Sequence, residues 1–429
     1  MSDAKTMIEV DDWSVLADRL SLGRDLTDWA RSAGAFERSR RIRDGETLLR
    51  LVLAWAVGGK SLRQVALWAA SEGMVDLTDE ALVKRFGKCG PWLAEMMAAR
   101  LDIPLSQEVN RQMAPGMGRQ LRIIDGSTIG APGACKPVWR LLLSFDPAAQ
   151  RTLGAEVVPA SCGELALCER AVAGDVVIAD RNFARPESLL AIVRREADFV
   201  ARLGSRSVRL IDANGQIVKL ADLCRTASKR GPIDRLFRLA HGRRKDWQPL
   251  PVRLIIRPMP NALAWRNRQK LARAGQREGY TPSTDAEAIA GCLVLLTTLT
   301  AETADDVQAL YRLRWQVELA FKRLKSLGHL DRLPARSVPL AHTWLMANLL
   351  SALMVEDVTR DILDSPPLCS HIRRRAQCRS GKSRLISFIA SGPRSSDPTG
   401  SVISSTGLPA SSDIWPMHPG RGGGRLRCS

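Results

Sequence analysis

Two short apolar stretches, each ending in an aspartate, decide the fold of this chain. The first is Leu121-Arg122-Ile123-Ile124-Asp125, followed by Gly126-Ser127-Thr128, and the second is Val176-Val177-Ile178-Ala179-Asp180, followed by Arg181-Asn182. Short runs rich in β-branched residues and bounded by turn residues predict buried β-strands. In an open α/β sheet, the residues at strand ends line the functional crevice. The sequence therefore predicts that Asp125 and Asp180 end neighbouring strands at one edge of a sheet.

The residues around these stretches predict the rest of an α/β core built on a mixed sheet. Strands are expected at 138–145, 152–158, 199–203, 252–257 and 293–299, and helices at 164–172, 186–196 and 340–363. The segment Asp212-Ala213-Asn214-Gly215 lies between two short strand-like runs and predicts a hairpin.

The N-terminal part of the chain predicts helices only. Thr47–Val57 is an apolar run of helical length, Ser61 and Gln64 form a capping-box pair, and Thr78 is suited to cap a third helix. This pattern resembles a helix-turn-helix DNA reader. A plain helical cap on a larger domain is the alternative, and the pattern leaves both open.

The charge balance favours a polyanionic partner. Lys and Arg number 63 against 45 Asp and Glu, which gives a net charge of +18. Residues 225–277 hold fifteen Lys or Arg against two Asp and no Glu, with Trp247 and Trp265 among them. Basic charge interleaved with aromatic side chains is typical of nucleic-acid binding. A solubilising charged surface with two core tryptophans is the alternative interpretation.

Several function classes fit the composition poorly. The nine cysteines include no Cys-x-x-Cys pair and the five histidines are scattered, which argues against a zinc site or a histidine-based nucleophile. The longest apolar run, Leu48–Val57, contains Arg50 and is too short to cross a bilayer. No apolar segment of a secretory signal is seen near the N-terminus. A cytoplasmic protein without a membrane partner is therefore expected.

A third carboxylate lies in a predicted long helix from Thr303 to about Leu327. At about 100° per residue, Tyr311, Arg314, Glu318, Lys322 and Lys325 share an arc of about 80°. The neighbouring face carries Leu310, Leu313, Val317, Phe321 and Leu324, which we expect to pack on the sheet. The alternative is a surface helix with ordinary ion pairs at i, i+4 spacing.

Two aspartates and a glutamate in one site would supply hard oxygen ligands, which suit Mg²⁺ or Mn²⁺ rather than zinc. Two such ions about 4 Å apart can activate an attacking oxygen and stabilise the leaving oxygen of a phosphodiester. The sequence therefore predicts Asp125, Asp180 and Glu318 as a candidate site for metal-dependent phosphodiester chemistry.

The spacing Tyr311-x₂-Arg314-x₃-Glu318-x₆-Lys325 resembles the Y-R-E-K signature of the DDE transposases of bacterial insertion sequences, in the IS-four family. Asp125-Gly126-Ser127 is similar to the family's first aspartate motif. Asp180-Arg181-Asn182-Phe183 is similar to its second, although Asn182 stands where the family usually has glycine. The resemblance covers about residues 40–360.

The resemblance implies a DNA transposase that hydrolyses the element's ends and joins the freed 3′-hydroxyl groups to target DNA. It implies Asp125, Asp180 and Glu318 as catalytic ligands of two Mg²⁺ or Mn²⁺ ions. The DNA-contacting residues would be Tyr311, Arg314, Trp315, Lys322 and Lys325. The partners would be double-stranded DNA, as terminal inverted repeats and target, and a second copy of the chain in a paired-end complex. Two alternatives stay open: a catalytically decayed protein that still binds the ends, and a ribonuclease-H-like nuclease without strand joining.

The implied fold is a ribonuclease-H-like α/β core with a β-rich insertion, preceded by an all-helical N-terminal domain. The expected organisation is a helical DNA-binding region (1–115), two parts of the core (116–203 and 301–365) around a β-rich basic insertion (204–300), and a tail (366–429). Between Ser391 and Ser412, fourteen of the twenty-two residues are Ser, Gly or Pro, which predicts disorder from about residue 391.

Overall fold

The computed structural model shows an α/β protein built on one large mixed sheet. It describes residues 12–364 except for 38–40, 103–118, 135, 205–207, 241–247, 328–329, 331–332 and 335–336. The described residues belong to one compact unit. The expected disordered tail and Trp247 lie outside the described residues.

The described residues before the sheet form helices only, as the sequence predicts. They are α1 (Asp12–Ser21), α2 (Leu26–Ser32), α3 (Gly45–Ala56), α4 (Leu62–Ser71), α5 (Asp79–Phe86) and α6 (Gly90–Leu101). Ser61 and Gln64 form the predicted capping box at α4, and the Thr78 side chain caps α5. Side chains therefore satisfy the first backbone N–H groups of both helices.

Ten strands form the sheet. They are β1 (Leu121–Gly130), β2 (Pro137–Asp146), β3 (Arg151–Pro159), β4 (Val176–Ala179), β5 (Asp198–Arg202), β6 (Arg209–Ile211), β7 (Ile217–Val218), β8 (Ile233–Ala240), β9 (Leu250–Pro258) and β10 (Cys292–Thr297). Their order is β3-β2-β1-β4-β5-β10-β9-β8-β6-β7. The β6–β7 pair is the predicted hairpin.

The strand directions place several chain segments at one edge of the sheet. Strands β1, β4 and β5 are parallel, β10 is antiparallel to β5, and β9 is antiparallel to β10. Consequently β9 runs in the same direction as β1, β4 and β5. We call the edge at which β4, β5 and β9 end the carboxyl edge.

Helices cover both faces of the sheet. They are α7 (Leu165–Cys168), α8 (Pro186–Val193), α9 (Leu220–Arg230), α10 (Asn261–Glu278), α11 (Thr284–Ala290), α12 (Ala304–Arg312), α13 (Trp315–Leu327) and α14 (Val338–Asp364). One core cluster joins α1–α6 and α12–α14 to one face, and a second core joins α7–α9 and α11 to the other. The N-terminal helices thus share a core with the sheet.

Helix α14 is the central helix of the first cluster. Its segment Val338–Asp357 is long and apolar enough to cross a membrane, but 72% of the apolar window is buried inside the protein. Leu345 and Ala347 have no exposed surface at all. The apolar residues of this helix therefore form part of the protein core. The helix predicted at 340–363 is present.

Three local predictions were wrong. Strand β1 does not end at Asp125 but continues to Gly130, because it pairs with β2 beyond the last residue of β4. The stretch expected as a helix at 164–172 forms only the short helix Leu165–Cys168. The segment 204–300 is not simply β-rich, since it includes the 18-residue helix α10, and its strands extend the core sheet.

The helix predicted from Thr303 to Leu327 begins at the expected cap but is interrupted. Helix α12 ends at Arg312 and α13 begins at Trp315. The amides of Leu313 and Arg314 donate to the carbonyls of Leu310 and Tyr311, three residues back. Such i→i−3 bonds tighten the turn, so the 100° spacing assumed for one continuous α-helix does not hold across it.

Candidate active site

The two aspartates lie side by side at the carboxyl edge. Ile124 of β1 pairs with Ala179 of β4, so that Asp125 and Asp180 follow at adjacent positions. Because side chains alternate along a strand, a residue two positions after a buried one points to the same face. Ile123 and Ile178 lie in the core cluster under α12–α14, which places both carboxylates on that face. The predicted adjacency of Asp125 and Asp180 is present in the structure.

The turn between α12 and α13 brings side chains from the helices onto these aspartates. The Tyr311 hydroxyl donates to Asp180 Oδ1 at 3.5 Å, and Tyr311 itself is buried. Arg314 Nη1 lies 3.7 Å from Asp125 Oδ2, and its Nη2 donates to Glu318 Oε1. The guanidinium of Arg314 is thus held between the first strand and helix α13.

All three predicted carboxylates belong to one network, in which Arg314 joins Asp125 to Glu318. Glu318 is on its outer side, with 58% of its side chain exposed, against 23% for Asp125. No group of three or more His, Cys, Asp or Glu residues is arranged as a metal site within the part of the chain that the structure describes. The carboxylates converge, but with an arginine between two of them.

Burial and mutual repulsion shape the electrostatics of this network. Burial raises the pKa of Asp125 to about 6, the Gly126 N–H and the Arg314 guanidinium lower it, and the charges of Asp180 and Glu164 raise it. Burial also raises the pKa of the Tyr311 hydroxyl, as does the charge of Asp180. The site thus concentrates negative charge at a place with restricted access to water.

Two charged residues beside the network were not anticipated from the sequence. Glu164 lies over β1, because a methyl group added at Gly126 would come within 2.7 Å of Glu164 Oε1. Arg202 ends β5 and lowers the pKa of Tyr311 through its charge and a hydrogen bond. Arg202 follows the buried Val200 by two residues. Because side chains alternate along a strand, Arg202 is expected on the same face of the sheet as Asp125 and Asp180. Nothing in the sequence around Glu164 indicates its position.

The remaining predicted DNA-contacting residues lie along α13. Trp315 is 54% exposed, Lys322 is exposed and Lys325 is half-buried. The last two follow Glu318 by four and seven residues, which places them on one side of the helix. Basic and aromatic side chains therefore lie along the side of α13 that carries Glu318.

The donor set suits a divalent cation of the Mg²⁺ or Mn²⁺ type. Asp125, Asp180 and Glu318 offer only carboxylate oxygens, which these hard ions prefer. In the described structure Glu318 is ion-paired with Arg314, which lies between it and Asp125. The chemistry of the three side chains suits such an ion, whereas their present arrangement is that of an arginine-bridged network.

The sequence comparisons agree with this geometry. The family model described as "Transposase DDE domain" matches residues 116–354, from just before β1, which contains Asp125, into α14. The chain belongs to the DDE transposase family. The recognition made from the Y-R-E-K spacing and the two aspartate motifs is thereby confirmed.

Similar transposases are found in Escherichia coli. The chain is 36% identical over 364 residues to a putative transposase InsL for insertion sequence element IS186A of strain K12, covering 83% of this chain and 96% of the relative. It is also 36% identical over 365 residues to the transposase for insertion sequence element IS421, with the same shares covered. These matches place this transposase among those of insertion sequences.

One solved structure overlaps much of the chain. It is a cryo-EM structure of a piggyBac transposase synaptic complex with hairpin DNA, 12% identical, with a TM-score of 0.45, covering 89% of this chain and 81% of that one.

Proposed function

We propose that this transposase binds the ends of its insertion sequence, hydrolyses a phosphodiester at each end, and joins the freed 3′-hydroxyl groups to target DNA. The observation that carries the proposal is the meeting of Asp125, Asp180 and Glu318 in one network, although 193 residues separate the first from the last. Residues so distant in sequence have no local reason to meet. Retention of all three carboxylates argues against a decayed, DNA-binding remnant.

The fold supports the same chemistry. The first five strands have the order β3-β2-β1-β4-β5, in which β2 is antiparallel to its neighbours and β1, β4 and β5 are parallel. We propose that these strands form a ribonuclease-H-like core. In this arrangement the three parallel strands bring Asp125, Asp180 and Arg202 to one face of the carboxyl edge.

In the proposed reaction, Asp125, Asp180 and Glu318 would hold two Mg²⁺ or Mn²⁺ ions, which would supply activation of the attacking oxygen and stabilisation of the leaving one. Arg314 releases Glu318 and offers its guanidinium to a non-bridging phosphate oxygen. Tyr311 orients Asp180, while Trp315, Lys322 and Lys325 hold the transposon end.

In the first proposed step water attacks the phosphorus, a P–O bond forms, and the bond to the 3′-oxygen breaks. The flanking strand keeps the 5′-phosphate, and the proton lost by the water balances the one that the leaving 3′-oxygen takes up to become a 3′-hydroxyl. In the second, this hydroxyl attacks a target phosphodiester, forming one P–O bond as another breaks. We further propose that two copies pair two ends on DNA in the cytoplasm. Light scattering of the protein with an end duplex tests the pairing.

Cleavage of a labelled inverted-repeat end tests the proposal. We expect cleavage with Mg²⁺ by the unaltered protein, loss of at least about 100-fold in Glu318→Gln, and no loss in Glu287→Gln, an exposed glutamate on α11. A supercoiled target plasmid in the same reaction reports joining. Cleavage that survives in Glu318→Gln contradicts the site assignment, and cleavage without joining favours the nuclease alternative.

A further inference from the structure

Helix α10 carries a straight line of basic side chains on its outer face. At about 100° per residue, Arg266, Lys270, Arg273 and Arg277 fall within an arc of about 60°, and the line is about 16 Å long. All four side chains are exposed. Trp265 lies about a quarter-turn around the helix from the line and is 62% exposed, which is unusual for so large an apolar side chain. We call these four cations the α10 stripe.

The opposite face of α10 packs against α11 and the segment that leads to it, which fixes the direction of the stripe. Ala264 is buried, and a methyl group added at the buried Gly275 would come within 2.4 Å of the Tyr280 carbonyl. Asn267 and Arg268 donate to the backbone carbonyls of Ala290 and Glu287 at 3.4 and 3.3 Å. The stripe therefore points away from these contacts.

Within the described part of the chain, no acidic side chain neutralises the α10 stripe. None of its four cations forms an ion pair with an acidic residue of the described chain, and the only acidic residue of α10 is Glu278, at its C-terminal end. By contrast, the nearby Arg253 and Arg257 pair with Asp234 and Asp305. Four aligned like charges repel one another, so folding gains nothing from their alignment.

The stripe begins at the edge of the sheet that carries the candidate active site. Strand β9 runs parallel to β4 and β5 and ends at Pro258, three residues before α10 begins at Asn261. Asp180 directly follows β4 at the same edge. Two exposed arginines, Arg181 and Arg185, also follow β4 there. Basic side chains thus lie next to the carboxylates, after β4, and again after β9 along this edge.

We propose that the α10 stripe is a second DNA-contacting surface, which binds the phosphate backbone of duplex DNA without sequence preference. Its length of about 16 Å matches the axial rise of about five nucleotides of one strand, at about 3.4 Å each. Trp265 packs against the sugars beside these phosphates. The inference rests on the proposed function, in which the candidate active site at the carboxyl edge binds the ends of duplex DNA.

Salt dependence of binding tests the phosphate contacts. The probe is a fluorescently labelled random-sequence duplex of about 30 base pairs, measured by anisotropy with a chelator present. For each double variant, Arg266→Gln/Lys270→Gln and Arg273→Gln/Arg277→Gln, we expect at least about tenfold weaker binding near 0.1 M salt. The slope of log K against log salt should become shallower by about 2, since each lost phosphate contact removes about 0.9.

The matched control removes two exposed cations from the other edge of the sheet. Arg194 and Arg195 follow the C-terminus of α8, which leads from the carboxyl edge back to the start of β5. Arg194→Gln/Arg195→Gln has the same net charge as each test variant and should leave the slope unchanged. An equal change in the control, or an unchanged slope in both α10 variants, overturns the proposal.

Trp265→Ala separates packing from charge. We expect threefold to tenfold weaker binding with an unchanged salt slope, because no phosphate contact is lost. Circular dichroism melting curves for all variants verify that each folds. If the α10 variants instead change the oligomeric state without DNA and leave the slope unchanged, the stripe binds a second copy of the chain and the proposal is wrong.

The two proposals fail in distinguishable ways. Glu318→Gln retains the α10 stripe and should bind the random duplex with the slope of the unaltered protein. A protein that shows the α10 effect but never cleaves an end contradicts the proposed function alone. A protein that cleaves its ends but shows no α10 effect contradicts this inference alone.

Discussion

Arg314 and the α10 stripe differ in burial and in ion pairing. Arg314 is largely buried, with 17% of its side chain exposed, and contacts both Asp125 and Glu318. The four cations of the α10 stripe are exposed and pair with no acidic residue of the described chain. Arg314 is therefore part of the folded network, whereas the α10 stripe is available to bind an external anion.

This difference indicates that Arg314 contributes to the folded site and the α10 stripe to the binding of an anion. A buried cation between carboxylates supports their placement, and its removal leaves a buried negative charge uncompensated. An exposed cation without a partner contributes little to stability but can release counterions when it meets a phosphate.

Removing the buried cation should give the largest effect. We expect Arg314→Gln to lower the rate of end cleavage by about 100-fold or more, because Asp125 and Glu318 lose the side chain that joins them. The measurement is single-turnover cleavage with Mg²⁺. Arg312→Gln, two residues earlier and exposed, is the control. Equal losses in both variants would mean that the contact made by Arg314 has no special role.

The tyrosine contact should matter less. Tyr311→Phe removes only the hydroxyl that donates to Asp180 at 3.5 Å. We expect about tenfold slower cleavage and a free energy of unfolding lowered by less than about 1 kcal/mol. The chain's other tyrosine, Tyr280, is 44% exposed, and Tyr280→Phe is the matched control. A cleavage rate unchanged in Tyr311→Phe would show that this hydroxyl does not position Asp180.

The contact between Gly126 and Glu164 should give a smaller effect, on stability. Gly126→Ala would place a methyl group 2.7 Å from Glu164 Oε1, which a flexible side chain can leave by rotation. We expect the free energy of unfolding to fall by about 1 kcal/mol in denaturant titration. Adding Glu164→Ala should restore most of that loss. A loss that persists in the double variant would locate the strain in the β1 backbone instead.

A single cation of the α10 stripe should give the smallest effect. We expect Arg273→Gln to change the free energy of unfolding by no more than about 0.5 kcal/mol and to make the salt slope of duplex binding shallower by about 1. Denaturant titration and anisotropy measure the two quantities. If Arg273→Gln destabilises the protein as much as Arg314→Gln does, the contrast between the two groups does not hold.

The sequence predicted the strands of the core and the convergence of the three carboxylates, but not the details of the helices. The 18-residue helix α10 was missed, although its composition favours a helix and Gly279 ends it in the left-handed region at φ 75°. The break at Leu313–Arg314 has no such signal, since neither residue is a helix breaker. The domain boundaries and the roles of the site residues stay predictions.

Most strands of the core, the capped helix starts and the family follow from the sequence alone, because apolar periodicity, caps and the spacing of a few polar residues act over short distances along the chain. It gave the two strands that lead to Asp125 and Asp180, the cap at Thr303 and the Y-R-E-K spacing. Only the tertiary structure decided that Arg314 lies between Asp125 and Glu318, that Glu164 lies over Gly126, and that the α10 stripe shares the carboxyl edge. These relations depend on strand order and on contacts between residues far apart in the chain, which no local pattern encodes.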